Sequence, residues 1–353
     1  MNNTATIPNK PRLTSLSHGG GCGCKIAPGV LSELLAGMPA TQPFAALLVG
    51  NETSDDAAVY QLNDEQALVA TTDFFMPIVD DPFDFGRIAA TNALSDVYAM
   101  GAKPIMALAL VGMPINVLPK EDIAGILQGG AEACKQAGIP IAGGHSIDSV
   151  EPIYGLAAMG LVHPQNIKRN NAARAGDVLV LGKALGVGIL SAALKKNLLS
   201  DDGYQAMVRS TTQLNTPGAA LSALDGVHAI TDVTGFGLLG HSLEVARASG
   251  LSARIQYDQL PWLSSVVDFA EQGVITGASG RNWDSFGGSI ELASHISSAQ
   301  RALLCDPQTS GGLLVACAPE SVAEVLSIFE DEGFEYAKVI GELHEQGSLV
   351  QVS

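Results

Sequence analysis

The sequence predicts an α/β (α+β) chain of two domains behind a flexible, glycine-rich N-terminal segment. Three observations carry this. The 353 residues exceed one ordinary domain and fit two. An apolar fraction of 47% against 16% charged residues supplies sizeable cores and excludes disorder for most of the chain. From residue 178 onward, strand-like apolar runs alternate with helical patterns. His163–Asp177 turns polar and basic, with Lys168, Arg169 and Arg174, so the boundaries fall at 1–50, 51–165 and 166–353.

Residues 1–16 are polar, hold Pro8 and Pro11, and read as a disordered tail with no apolar core of a signal peptide. In Pro28–Ala36, Val30, Leu31, Leu34 and Leu35 recur at helical spacing. Ala57–Leu62 and Ala67–Thr72 flank Asn63-Asp64-Glu65 as a hairpin, with Asp73 just after the second strand. A helix capped by Asp84 runs to Met100 and stops at Gly101. Ile105–Val111 is a strand, Lys120–Ala137 a helix, Ile139–Ala142 a short strand ending in Gly143-Gly144, and Ile153–Val162 a further strand. In the second domain, strands at 178–182, 227–232, 253–257, 313–317 and 337–341 alternate with helices at 186–197, 203–213, 236–249 and 320–333. Residues 276–290, rich in glycine, serine and asparagine, read as a surface loop.

The net charge of −17 argues against nucleic-acid binding, which needs a basic stripe. No apolar run approaches the ~20 residues that span a bilayer. The expectation is a cytoplasmic protein without membrane or nucleic-acid partners. The five cysteines, an odd number, then read as reduced thiols, with Cys134 and Cys317 as small core residues.

Chemistry concentrates in a few places. In Ser17–Lys25, four of nine residues are glycine, and two thiols and an ammonium ride on that backbone. Cys22-x-Cys24 lacks the second Cys/His pair of a zinc site. The expectation is one activated thiolate, its pKa lowered by Lys25 and the loop amides, with Lys25 also neutralising phosphate. Spacing alone does not choose between Cys22 and Cys24. Among the acids, Asp55 and Asp56 precede a strand, and Asp232 ends one. Asn92 and Asp96 are four apart, on one face of the 84–100 helix. That helix is otherwise apolar or small, and a buried carboxylate needs a cation. Oxygen ligands without a histidine cluster suit Mg²⁺ holding nucleotide phosphates. Gly143-Gly144-His145-Ser146 offers amides and a hydroxyl to a phosphate, while Gly311-Gly312 marks a tight turn. No Walker A motif occurs. Gly235, Gly237 and Gly240 spell a dinucleotide-binding fingerprint between a strand and a helix, with Asp258 about twenty residues on. This supports a rival NAD-linked oxidoreductase. Helix-packing glycines are the competing reading, since Asp232 would repel a pyrophosphate.

Long motifs carry a resemblance: Ser17–Lys25, Gly50-Asn51-Glu52-Thr53-Ser54-Asp55-Asp56-Ala57-Ala58-Val59, Thr71–Ala93, Ala142–Ile147, Thr231–His241 and Cys305–Gly312. From Arg12 to about Leu343 the chain resembles the selenophosphate synthetases (selenide, water dikinases). The resemblance implies an aminoimidazole-ribonucleotide-synthetase-like fold and a homodimer paired through the N-terminal domains, with ATP near the interface. It implies conversion of ATP, hydrogen selenide and water to selenophosphate, AMP and phosphate, supplying selenium for selenocysteine and for seleno-tRNA. A selenium-delivery protein would be a further partner. Residue by residue, Cys22 matches the catalytic position and Lys25 the essential lysine. Asp56, Asp96 and Asp232 match Mg²⁺ ligands. Lys25, Thr53, Ser54, Asp55, Asp73 and Asp96 match positions around ATP. Gly144, His145 and Ser146 match a segment reaching the nucleotide, from the partner subunit. A sister kinase or synthetase of the superfamily is the alternative within the fold. The implied Ser17–Lys25 loop is a mobile lid.

Overall fold

A computed structural model describes residues 11–26, 28–36, 44–50, 55–345 and 349–353. Two sheets organise it. The first draws on β1 (Leu47–Val49), β2 (Ala58–Gln61), β3 (Ala67–Phe75), β4 (Lys103–Met113), β5 (Ile141–Asp148) and β6 (Ile153–Val162), in the order β1-β2-β3-β6-β4-β5. Helix α1 (Pro28–Ala36) precedes it, and α2 (Pro82–Ala99) and α3 (Lys120–Gln136) lie between its strands in sequence.

Helix α2 is buried almost all round, as an apolar helix without a polar face must be. Its start is fixed by the Asp81 side chain, which accepts from the Asp84 amide, and by Pro82 in the first turn. The cap is therefore Asp81; Asp84 instead pairs with Arg87 and accepts from Tyr204. Gly86 and Gly129 let α2 and α3 touch backbone to backbone, because a Cβ at either would overlap a carbonyl of the opposing helix.

Alternation along β3 sorts its two faces. Ala67, Val69, Asp73 and Phe75 are buried on the α2 side, while Ala70, Thr72 and Phe74 are exposed on the other. That second face stays uncovered, with Tyr60 at 49%, Phe74 at 50% and Ile147 at 57% exposure. Strand β5 pairs with β4 alone and forms the sheet's edge.

The second sheet holds β7 (Val178–Leu181), β8 (Val227–Asp232), β9 (Ser252–Ile255), β10 (Ile290–Leu292), β11 (Leu313–Cys317), β12 (Lys338–His344) and β13 (Val350–Val352). Their order is β10-β13-β9-β12-β7-β11-β8. Its helices are α4 (Val187–Lys195), α5 (Asp201–Thr212), α6 (Pro217–Leu221), α7 (Gly237–Ser249), α8 (Val266–Glu271), α9 (Gly277–Phe286), α10 (Ser298–Leu304) and α11 (Val322–Asp331). Among the described residues no helix is long and apolar enough to cross a membrane.

Five further sequence expectations need correction. Asp73 lies inside β3, since the β3–β6 ladder continues through it to Phe75. Gly143 and Gly144 lie inside β5, held by parallel pairing to β4, and a Cβ on Gly144 would overlap Ala109. Residues 276–290 are not a loop. Thr276 caps α9, whose Ala278, Asn282 and Phe286 recur at helical spacing and are buried. Residues 1–10 of the expected tail lie outside the described residues, and its remainder is not disordered: Leu13–Leu16 form a 3-10 turn with Leu13 buried, tied down by Thr14 and Arg12 to Asp80. Finally, β8 and β9 do not form a parallel βαβ pair. Strands β12, β7 and β11 separate them, and β8 is an edge strand. Gly237 and Gly240 serve packing, against the Cys305–Asp306 backbone and against Phe236 and Phe286. The dinucleotide reading fails with that topology.

Candidate active site

The site lies where the two sheets meet. The buried face of β3 supplies Thr71 and Asp73. Helix α2 supplies Asn92, Ser95 and Asp96. The chain before β2 supplies Asp56, and β8 ends in Asp232. One carboxylate oxygen from each of Asp56, Asp96 and Asp232 falls within 4.8 Å of the others. Asp56 accepts from Thr231 Oγ1 at 2.9 Å and Asp96 from Thr71 Oγ1 at 2.5 Å. Asp56 Oδ2 and Asp232 Oδ2 are buried without a hydrogen-bond partner. Burial and then mutual repulsion push the Asp56 and Asp96 carboxyls well above the ordinary range. Burial also raises Asp232, against a hydrogen bond from Ser95. Three convergent carboxylates, two of them with orphaned oxygens, and no nitrogen or sulfur donor fit a hard divalent cation.

The glycine loop is seated directly beside this cluster. Gly21–Cys24 form a 3-10 turn. The Cys22 amide donates to Thr309 Oγ1 at 3.1 Å, and its thiol donates to Asn92 Oδ1 at 3.2 Å. Asn92 is the hub: its Oδ1 also accepts from the Ser310 amide at 2.6 Å, and its Nδ2 donates to Asp73 Oδ2 at 2.6 Å. Lys25 Nζ pairs with the same Asp73 oxygen at 3.2 Å. Gly235 leaves room for the loop, since a Cβ there would lie 2.8 Å from the Cys22 carbonyl. Burial alone would lower the Lys25 ammonium, but Asp73, Cys22, Asp96 and Asp232 outweigh it and hold the pKa well up. That attraction is partly screened, because the side chain is 39% exposed.

The seated thiol differs from expectation. Burial pushes Cys22 well above the ordinary thiol value, and Lys25 only partly opposes it. In this seat Cys22 is a protonated donor to Asn92. Activation by Lys25 requires less burial or the loss of neighbouring negative charge. Cys24 instead donates to the Gly21 carbonyl at 2.9 Å. All five cysteines are free.

The other expected residues sort as follows. Asp55 accepts from the Asn170 amide at 2.7 Å and lies outside the carboxylate trio. Thr53 and Ser54 lie outside the described residues. Gly144, His145 and Ser146 sit on exposed β5, three strands from β3, so one chain alone does not bring them to the cluster. Sequence reasoning passed over the hub role of Asn92 and the seat made by Thr309 and Ser310. It also passed over Lys183, whose buried ammonium, pushed down by burial to about 7, donates to the Ser310 carbonyl at 2.9 Å. Asn92 could have been flagged as an uncharged polar residue on an otherwise apolar helix.

Comparison with known proteins gives two family models. "AIR synthase related protein, N-terminal domain" matches residues 54–162, and "AIR synthase related protein, C-terminal domain" matches 174–352. A selenide, water dikinase of Burkholderia ambifaria (strain MC40-6) is 70% identical over 350 residues, covering 99% of each chain. That of Rhizobium meliloti (strain 1021) is 62% identical over 331 residues, covering 94% of this chain and 95% of the relative. Among solved structures, thiamine-monophosphate kinase from Stenotrophomonas maltophilia K279a superposes with a TM-score of 0.64 at 20% identity, over 88% of this chain and 92% of that one. Hydrogenase maturation protein HypE in complex with ATP gives 0.61 at 17%, over 84% and 82%. At those identities the structures speak to the fold alone.

Proposed function

This chain belongs to the selenide, water dikinase family, and from that membership and the site above we propose that it forms selenophosphate from ATP, hydrogen selenide and water, releasing AMP and phosphate. The product would supply selenium for selenocysteine and seleno-tRNA. The observation that carries the reading is the seating of the Cys22–Lys25 loop beside the convergent carboxylate trio. Thiol, ammonium and metal-ready oxygens share one pocket.

Asp56, Asp96 and Asp232 would hold Mg²⁺. Bound there, the metal offsets charge on the phosphates and on the leaving group. Lys25 would shift part of its attraction from Asp73 to the nucleotide phosphates, with Asp73 keeping the ammonium in place. Asn92 positions the Cys22 sulfur through its acceptor oxygen and fixes Asp73 through its amide. Opening and closing of the loop would exclude water from the transfer to selenium and admit it to the hydrolysis that follows. Asp55, Thr53 and Ser54 would line the nucleotide side.

The uncovered apolar face and the β5 edge support a homodimer, in which Gly144, His145 and Ser146 would reach the partner's nucleotide. The division into a loop segment (1–50), an ATP-binding domain (51–165) and a C-terminal domain (166–353), the cytoplasmic location and a selenium-delivery partner belong to the same proposal. Phosphorus NMR of the protein with Mg²⁺-ATP and selenide, anaerobic and reducing, tests it. The expected result is a selenophosphate signal with stoichiometric AMP. ADP as the final product, or AMP formation indifferent to selenide, overturns it.

A further inference from the structure

On the side of the glycine loop away from the carboxylate trio lies a cavity of about 330 Å³. His18, Gly19, Gly20 and Gly23 of the loop form one wall, and Lys195, Lys196 and Arg281 contribute cations. Among the described residues no aspartate or glutamate lines it. His18 is paired with Glu151 at 3.0 Å, and Glu151 also attracts Lys195, so the net positive charge is the excess of the two lysines and the arginine over that one carboxylate. In a chain of net charge −17 such a patch is out of character. Helix α9 adds to it by starting at the cavity wall, with Gly277 and Ala278 among the lining residues.

The cavity is joined to the thiol. A crevice of about 10 Å³, too narrow in this seat for passage, is lined by Cys22 and Lys25 and shares Gly23, Ala278 and Arg281 with the cavity. Arg281 also donates to the Gly23 carbonyl at 3.0 Å, and Lys195 to the Ser17 carbonyl at 3.3 Å. The cations therefore clamp the loop as well as charge the cavity. On its other side Cys22 faces the negative charge of Asp73 and Asp232, which disfavours an anion.

Resting on the proposed function, we infer that this cationic cavity is the entrance by which the anionic selenium substrate reaches Cys22, with Gly23, Ala278 and Arg281 as its inner constriction. Hydrogen selenide is acidic enough to be a monoanion at neutral pH. A small anion is drawn into a cleft of one sign, as electrostatic focusing requires. It thus meets the thiol without crossing the nucleotide site.

The test compares an anionic and a neutral thiol reagent. Alkylation of Cys22 by iodoacetate and by iodoacetamide is followed by mass spectrometry in Cys24→Ser protein, with and without Lys195→Gln/Lys196→Gln/Arg281→Gln. Loosening of the loop would speed both reagents alike, so the rate ratio isolates charge. The ratio should fall about tenfold in the triple variant. The KM for selenide should rise by a similar factor while that for ATP stays within twofold, and Arg281→Lys should restore what Arg281→Gln loses. An unchanged ratio overturns the inference. So does protection of Cys22 by inorganic phosphate alone with an unchanged selenide KM, which would mark a phosphate site instead. The alkylation ratio does not depend on turnover, so failure of the functional reading is distinguishable from failure of this one.

Discussion

Gly21→Ala isolates the seating of the loop. Gly21 adopts φ +53°, where a side chain costs about 1–2 kcal/mol. An added Cβ would overlap Thr309 Oγ1 and lie 2.6 Å from Ile78 Cγ2. Overpacking of this kind costs about 1–3 kcal/mol. Both penalties apply to the seated loop and vanish when it leaves. The seated state therefore loses roughly 2–5 kcal/mol relative to the open one, a change in their ratio of about thirtyfold or more at about 1.4 kcal/mol per decade. Cys22 is 1% exposed and hydrogen-bonded when seated, so its alkylation requires the seat to loosen. Iodoacetamide labelling of Cys22, read by mass spectrometry in Cys24→Ser protein, should accelerate by about thirtyfold or until the open loop saturates the rate. The thermal midpoint should fall by no more than corresponds to the free energy of seating, because the two sheets keep their cores when the loop leaves. Gly29→Ala, where a Cβ meets nothing within 4 Å, is the matched control. Acceleration below about threefold would refute the reasoning: either the seat yields cheaply, or burial of Cys22 does not depend on it.

Other outcomes follow from the same geometry. Cys22→Ser should abolish selenide-dependent AMP formation in a coupled assay, while Cys24→Ser keeps most of it, since the Cys24 thiol bonds to the Gly21 carbonyl and not to Asn92; equal losses would reject that division of roles. Asp96→Asn and Asp232→Asn each remove one of three mutually repelling carboxylates. Each should raise the metal-free thermal midpoint yet raise half-saturating Mg²⁺ at least about tenfold in turnover assays, and unchanged Mg²⁺ dependence in both would count against the metal site. Burial pushes Asp306 up to about 8, against hydrogen bonds from Ile189, Gln308 and Gly188. A raised carboxyl contributes stability that is fully present below its unfolded value of 3.8 and lost as pH climbs to about 8. The midpoint of Asp306→Asn relative to the parent should therefore rise between pH 5 and 8.5; a flat difference by calorimetry would show that the carboxyl is not raised.

What could be read from the chain, and what could not, follows the range of the interactions. The α2 register was legible because Asp96 is an anomaly among apolar neighbours, and its partners at strand ends completed an oxygen-only set. The Asp81 cap was misassigned by one turn, since Asp81 and Asp84 are both plausible capping acids and only Pro82 distinguishes them. Residues 276–290 looked like a loop because glycine and serine weaken local helix propensity. Burial of Asn282 and Phe286 overrides it. The false dinucleotide fingerprint shows the reverse case: local spacing was right, and strand order removed its meaning. The seat of Cys22 was invisible, because it joins residues 70 and 287 positions apart. Burial that raises the thiol comes from that same long-range closure, so a reading confined to neighbouring residues saw only Lys25 and inferred the opposite shift.

One consequence of that seat concerns the whole molecule. Cys22 is bonded on one side to Asn92, which belongs with the first sheet, and on the other to Thr309, which leads into the second. Ten residues earlier, Arg12 bridges Asp80 before α2 and Asn197 after α4. The start of the chain is thus a tether stitched across both halves, and its attachment and their relative orientation share one free energy. A ligand that draws the sheets together must, by reciprocity, tighten the tether, and a ligand that lifts the tether must loosen the sheets.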